Sequence, residues 1–331
     1  MTINQRFATL YSVLTTSRAS YYIVATLILI SWAIIGIQLR THSYTTDPGE
    51  GIHTERRQTE WIHAFKYIIP TSSIPLTPSP SIPTTDQPTQ TITDSALLWL
   101  INQDNPLGKD FIPSNMVSHK GIRMQAAAYT AFNQMLVALK NDGIIGLQLA
   151  SAYRTYEHQH SLFTSKVNTL ISQGHNPHEA EELAQTTIQR PGASEHQTGL
   201  ALDVTMSGDL TKAFADTPAG KWVAANSHRF GFIIRYPQSK TEITHIIYEP
   251  WHLRYVGMPH ATIMYENNLS LEEYASFIAA GQAYIVWICY EEYFIVMHTT
   301  TWPNSSQPEL VDISSVSPSG GGYILTVRRH R

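Results

Sequence analysis

Apolar residues recur at helical spacing through Met124, Ala127, Ala128, Phe132, Met135, Leu136 and Leu139, so the chain predicts an amphipathic helix from about Arg123 to Lys140. Asn141-Asp142-Gly143 supplies its stop. Ile144 to Ser151 then has the character of a strand that carries Ser151-Ala152-Tyr153-Arg154 to its C-terminal end. Thr155 to Gly174 and Ala180 to Ile188 predict two further helices, closed by the turn Arg190-Pro191-Gly192. A strand is expected at Leu200 to Val204, a helix over 217–227, and strands at Phe230 to Pro237 and Thr244 to Tyr248. Upstream, Asp94 is placed to N-cap a short helix over 95–101. These elements predict an α+β domain over residues 94–280, with a mostly antiparallel central sheet flanked by helices.

The pattern changes at both ends. Tyr21 to Leu39 is uncharged for nineteen residues, long enough for a helix to cross a hydrocarbon core. Gln38-Leu39-Arg40 follows rather than a small-residue cleavage site, so the stretch reads as an uncleaved transmembrane anchor behind an N-terminal cytoplasmic segment, 1–20. Arg6 and Arg18 on one side and Arg40, Arg56 and Arg57 on the other give no charge bias to set its orientation. Residues 40–93 are rich in Pro, Ser and Thr and read as an extended stalk. Within it, Trp61 to Ile69 is apolar enough for a short helix that packs on the domain or lies on a membrane surface. At the other end, over 281–331, Ala283 to Tyr290, Tyr293 to His298 and Tyr323 to Arg328 are β-branched and aromatic runs, the first two joined as a hairpin. They predict a small three-stranded C-terminal β extension that caps the domain, with extension of its sheet or binding of wall or partner as the other readings.

Composition narrows the function. Across 331 residues, 43% are apolar and 15% charged, enough to bury a core. A net charge of −4 with scattered basic residues gives no stripe that would attract nucleic acid, so no nucleic-acid partner is expected. The one cysteine, Cys289, excludes an intrachain disulfide and a cysteine-based metal site.

Candidate chemistry gathers in two stretches. The first, from Ser194 through Glu195, His196 and Gly199 to Asp203, separates an imidazole and a carboxylate by seven residues. The second, Glu249-Pro250-Trp251-His252, adds another imidazole and a glutamate. Two histidines, one aspartate and a spare glutamate are the donors and base of a catalytic zinc site. An odd separation puts His196 and Asp203 on opposite faces of an unbroken strand, so Gly199 must bend the chain for both to reach one ion. His158 and His160 have no third donor at suitable spacing and read as surface residues.

Together with Ser151-Ala152-Tyr153-Arg154, the segments Asn102 to Leu107, Arg190 to Ala201, Phe230 to Pro237, Glu249 to Gly257 and Leu271 to Tyr274 resemble the D-alanyl-D-alanine carboxypeptidases of the VanY type. That family lies in a larger group of zinc peptidases with the D-Ala-D-Ala dipeptidases and the peptidase-like domain of hedgehog proteins. The likeness covers roughly 95–277. It implies that His196, Asp203 and His252 hold Zn2+, that Glu249 is the catalytic base, and that Arg154 stabilises the oxyanion, with a structural ion pair as Arg154's other reading. It further implies that Ser194 and Gln159 touch the substrate. Glu195 and Arg254 read as flanking structural charges and Trp251 as a core aromatic beside the site. The implied substrate is the peptidoglycan stem peptide, from which the terminal D-alanine would be removed on the extracellular side of the cell membrane. L,D-carboxypeptidase or endopeptidase cleavage of stem peptides is the neighbouring expectation. A non-catalytic zinc-containing cell-wall-binding protein is the expectation from another class.

Overall fold

The computed structural model describes residues 67–70, 96–206, 208, 210–280, 282–289, 292–300, 310–315 and 322–330. Its central sheet is made of four short strands, β4 (Gln148–Ser151), β5 (Ala201–Thr205), β6 (Phe232–Tyr236) and β7 (Glu249–Tyr255), in the order β4-β5-β7-β6 and antiparallel throughout. All five residues of β5 are buried, because the strand has a neighbour on each side and is covered on its faces. Leu202, Val204 and Leu253 join Phe132, Met135 and Leu139 of α1 (Ala126–Asn141) in the main core. Of the predicted face, Ala128, Phe132, Met135 and Leu139 are buried on the helix, whereas Leu136 is half-buried and Ala127 exposed, with Ala131 buried besides. At about 25 cal/mol per Å2 of apolar surface, such burial is what holds helix and sheet together.

The helix starts three residues later than its periodicity predicts, because the stretch before it is a hairpin. β2 (Met116–His119) pairs with β3 (Ile122–Gln125), with Lys120 and Gly121 both at positive φ in the two-residue turn. Thr155 caps α2 (Tyr156–Ser172) by accepting from the His158 N–H, and Asn176 forms a capping box at the start of α3 (Pro177–Gln185). Phe163 and Leu170 pack these two helices against Ala180 and Ala184. α4 (Pro218–Asn226) begins on the Thr217 cap.

Two expected elements differ. Residues 96–98 form a turn and 99–101 are irregular rather than helical, although Leu98 and Ile101 are buried. The strand expected at Thr244 to Tyr248 is displaced: α5 (Thr241–Thr244) ends at His245 in the left-handed region, and β7 begins at Glu249. Pro250 is accommodated inside β7 because the register shifts, with Ile234 opposite Leu253 and Tyr236 opposite Glu249. The residues between are bulged out of the ladder, where a missing N–H costs little.

The C-terminal β region is larger than three strands. β8 (Gln282–Cys289), β9 (Glu292–Thr299), β10 (Leu310–Ser315) and β11 (Tyr323–His330) join β1 (Tyr67–Pro70) in a five-stranded antiparallel sheet ordered β1-β8-β9-β11-β10. The stretch expected to be a short helix thus supplies a strand at its end, while 61–66 lie outside the described residues. Tyr284, Val286, Val296 and Ile324 are buried against Val256, Met264, Leu271, Tyr274 and Ile278 of the α6 (Met258–Glu266) and α7 (Leu271–Ala279) region. His260 ties the two layers, its Nδ1 2.9 Å from the Tyr274 hydroxyl and its Nε2 3.0 Å from Thr326 Oγ1. Among the described residues no helix is long and apolar enough to cross a membrane, and the predicted anchor at 21–39 lies outside them.

Candidate metal centre and active site

His196 sits on a one-turn 3-10 helix, Glu195–Thr198, which Gly199 ends at φ 71°. The bend that the spacing requires is therefore made at that glycine, and a side chain there would also meet Met116 Sδ at 2.9 Å. Past the bend β5 presents Asp203, and β7 brings His252 directly opposite it in register. One donor atom from each of His196, Asp203 and His252 can be chosen so that all lie within 4.8 Å of one another, and all three residues are buried.

Each imidazole lies against a different oxygen of Asp203, at a separation close to a tetrahedral edge, and the donor types are those zinc accepts. His196 Nε2 is 3.3 Å from Asp203 Oδ2, and His252 Nδ1 is 3.1 Å from Asp203 Oδ1. The edge of a tetrahedron with ~2.0–2.1 Å metal–ligand bonds is about 3.3 Å. Ring orientation is fixed as well. The Ala152 carbonyl is only an acceptor, so His196 Nδ1, 2.6 Å away, carries the proton and leaves the Nε2 lone pair facing the site.

Charge states follow from burial and neighbours. Burial, aided by the Arg154 charge, lowers His196 to about 4, so its ring is neutral and ready to donate a lone pair. Burial alone would raise Asp203, but His196 and His252 outweigh it and hold the carboxylate well below its usual range. Burial also opposes the charged form of His252, yet the hydrogen bond to Asp203 and the nearby Glu195 carboxylate prevail and raise it to about 9. Glu249, with its Oε2 3.8 Å from His252 Nδ1, is pushed up to about 7, first by burial. A carboxylate poised near neutrality is matched to proton transfer at neutral pH.

Arg154 enters from the end of β4. Its Nη2 donates to Asp203 Oδ2 at 2.6 Å, and its Nε and Nη2 both donate to Ser151 Oγ, at 3.2 and 3.1 Å. Gln159 is buried, and its amide nitrogen donates to the Gln189 carbonyl at 2.7 Å while its Oε1 lies 3.5 Å from Arg154 Nη1. It therefore braces Arg154 and the Gln189 loop. Ser194 is buried immediately before the 3-10 helix. Trp251 packs on the main core, and His158 and His160 are exposed.

Tyr236 and Arg235 also border the site, although neither stands in its sequence motifs. The Tyr236 ring lies 5.0 Å from His252, and Arg235 is buried behind the site in a pair with Glu195. An arginine between apolar residues in a strand that must be buried was the available signal for Arg235.

The family described as VanY, D-alanyl-D-alanine carboxypeptidase, matches residues 121–258, a segment that contains every residue of this site. The chain is 38% identical over 193 residues to the putative carboxypeptidase YodJ of Bacillus subtilis (strain 168), covering 54% of this chain and 66% of that protein. It thus spans just under two thirds of that relative's length. It is 33% identical over 195 residues to the bifunctional D-Ala-D-Ala dipeptidase and D-Ala-D-Ala carboxypeptidase VanXYC of Enterococcus gallinarum, covering 55% of this chain and 95% of that one. Among solved structures, the vancomycin resistance D,D-dipeptidase VanXYg in complex with a D-Ala-D-Ala phosphinate analog is similar, with a TM-score of 0.59 and 25% identity. That likeness covers 70% of this chain and 94% of the other. Since a relative is matched almost from end to end and the match runs through the His–Asp–His cluster, this chain belongs to the VanY family of D-alanyl-D-alanine carboxypeptidases.

Proposed function

We propose that the chain is a zinc carboxypeptidase that hydrolyses the terminal D-alanine from peptidoglycan stem peptides. The observation that carries this reading is the buried His196–Asp203–His252 cluster with Glu249, raised to about 7, at its edge. His196 Nε2, an oxygen of Asp203 and His252 Nδ1 would hold the ion, which supplies Lewis acidity and a water of lowered pKa when bound. Glu249 takes the proton of the attacking water and returns it to the leaving amine. Arg154 offers a fixed positive charge to the oxygen that becomes anionic, and Ser151 and Gln159 aim it. Ser194, buried just before the 3-10 helix that carries His196, is assigned to the substrate peptide on the family resemblance. The D-Ala-D-Ala in the names of similar proteins supports the choice of substrate. A pure binding site has no need of a buried base, which argues against a non-catalytic role.

The same reading makes 94–280 the catalytic unit, with the C-terminal β sheet packed on its flank. It places the unit on the extracellular face of the cell membrane, tethered by an anchor at 21–39 and the stalk that follows. Export to the wall is where such a substrate exists.

The zinc-loaded full chain, incubated with stem pentapeptide and stem tetrapeptide and followed by mass spectrometry, is expected to remove one alanine from the pentapeptide alone. Loss of alanine from the tetrapeptide would assign L,D-carboxypeptidase activity instead, and cleavage of neither would overturn the enzymatic reading.

Metal uptake has a pH signature. His252 is raised to about 9 in the metal-free chain, so it holds a proton that zinc must displace at neutral pH. Apparent zinc affinity, measured by chelator competition, should therefore rise about tenfold per pH unit between roughly pH 7 and pH 9 and then flatten. A flat profile across that window would show that zinc displaces no proton from His252 there, and so would overturn its raised titration.

A further inference from the structure

Behind the metal cluster two buried polar atoms lack a hydrogen-bond partner and face each other: His252 Nε2 and Glu195 Oε2, 3.9 Å apart. His252 turns Nδ1 toward Asp203, so Nε2 is the edge of the ring directed away from the cluster. Glu195, adjacent to His196 in sequence, is 1% exposed. Its other oxygen is held firmly. Arg235 Nε donates to Oε1 at 2.7 Å, and Arg254 Nη1 lies 2.9 Å from the same atom, out of line for a hydrogen bond.

The clamp extends outward. Arg235 donates to both oxygens of Glu272, at 3.0 and 2.7 Å, near the start of α7. Arg254 Nη2 donates to the carbonyls of Ala96, Leu97 and Trp99 at 3.0, 3.1 and 3.2 Å. Burying two guanidinium groups is costly unless carboxylates compensate them, and Glu195 and Glu272 do so. The arrangement keeps Glu195 anionic and leaves one oxygen aimed at the imidazole. A neutral imidazole that gives its Nδ1 lone pair to a metal carries its proton on Nε2, and that buried N–H needs an acceptor. Glu195 Oε2 is the unpartnered acceptor in front of it.

We propose that Glu195 is a positioning residue for the metal site: once His252 gives Nδ1 to a metal, the 3.9 Å gap closes so that Glu195 Oε2 accepts the His252 Nε2–H, fixing Nδ1 as the donor, with Glu195 kept in place by Arg235 and Arg254. The inference rests on the reading of His252 as a zinc ligand. It gives the flanking charges around the site a defined task, which is to set the tautomer and aim of the third ligand.

Zinc affinity measured by chelator competition on the wild-type chain, E195Q and E272Q tests this. The amide that E195Q introduces would have to turn its NH2 toward either the His252 N–H or the guanidinium groups, so this variant is expected to bind zinc about 10–100-fold more weakly. E272Q disturbs the same charge network without touching His252 and is expected to stay within about threefold of wild type. Equal affinity in E195Q and wild type overturns the positioning role alone, as does an equal loss in both variants. A wild-type chain that takes up no zinc overturns the ligand reading together with it. Because E195Q can fail to fold, long-range 1H–15N spectra of the zinc-loaded wild-type chain give an independent readout. They are expected to show His252 bound through Nδ1, with a slowly exchanging proton on Nε2. Binding through Nε2, or a rapidly exchanging proton there, overturns the proposal without any mutation.

Discussion

Replacing Glu249 with alanine is expected to leave zinc binding intact and to slow hydrolysis by about 10²–10⁴-fold, the usual contribution of a positioned acid–base group. Glu249 lies at the rim of the cluster rather than within the donor set, with its carboxylate 3.8 Å from His252 Nδ1. Removing it therefore takes away the proton acceptor and leaves all three donors in place. Zinc content and single-turnover rates on the stem pentapeptide measure the two effects separately. A variant that keeps the full rate would remove Glu249 from the mechanism.

The same substitution also has a stability effect of known sign in the metal-free chain. Glu249 is raised to about 7, so the folded state binds its proton more tightly than the unfolded state does. Its favourable contribution is present below the ordinary carboxylate range and is lost as pH rises through about 7. Above that pH the metal-free chain carries a buried charge at a cost, and the Glu249→Ala chain should melt no lower than wild type. A catalytic group whose removal does not destabilise the protein is the stability–activity trade-off in one residue.

The second large effect is expected at His196. Apparent zinc-binding free energies of about 10–16 kcal/mol, divided over four ligands, give roughly 2.5–4 kcal/mol for each, so His196→Ala should weaken zinc about 10²–10³-fold. Hydrolysis at limiting zinc should fall in step. The ring is also packed edge-on against His252, with centroids 4.8 Å apart, and its Nδ1–H is the partner of the Ala152 carbonyl. Circular dichroism on the metal-free variant therefore belongs with the zinc measurement, to separate loss of a donor from loss of the fold. An unchanged zinc content in a folded variant would sink the ligand assignment.

Much of this site is legible in the sequence, and the reason is local. His196, Gly199 and Asp203 lie within eight residues, where a bend at one glycine settles whether two side chains can meet, and Gly199 adopts the left-handed conformation that the bend needs. The helix of α1 was legible from its periodic apolar face, and the β8–β9 hairpin from two β-branched runs with a short charged join. By contrast, the β2–β3 hairpin was hidden because Met124 fits both a helical and a strand period, and only pairing with β2 decides between them. The beginning of β7 was misplaced for a related reason: Pro250 argues against a strand until the bulge opposite Tyr236 is seen.

By itself, then, the sequence determined the donor types, the bend that joins two of them, and the family to which the chain belongs. Tertiary structure decided what distance along the chain conceals. It placed His252 opposite Asp203 through strand register, set the Arg154 guanidinium on the Asp203 carboxylate, and drew Tyr67–Pro70 into a sheet with strands more than two hundred residues away. Most of all it decided the meaning of Glu195, Arg235 and Arg254. A charged residue in sequence is read as solvated until burial and partners are known. Burial in the low-dielectric interior makes each of these charges costly alone, so the network that compensates them becomes visible only when β6, β7 and the 3-10 turn come together.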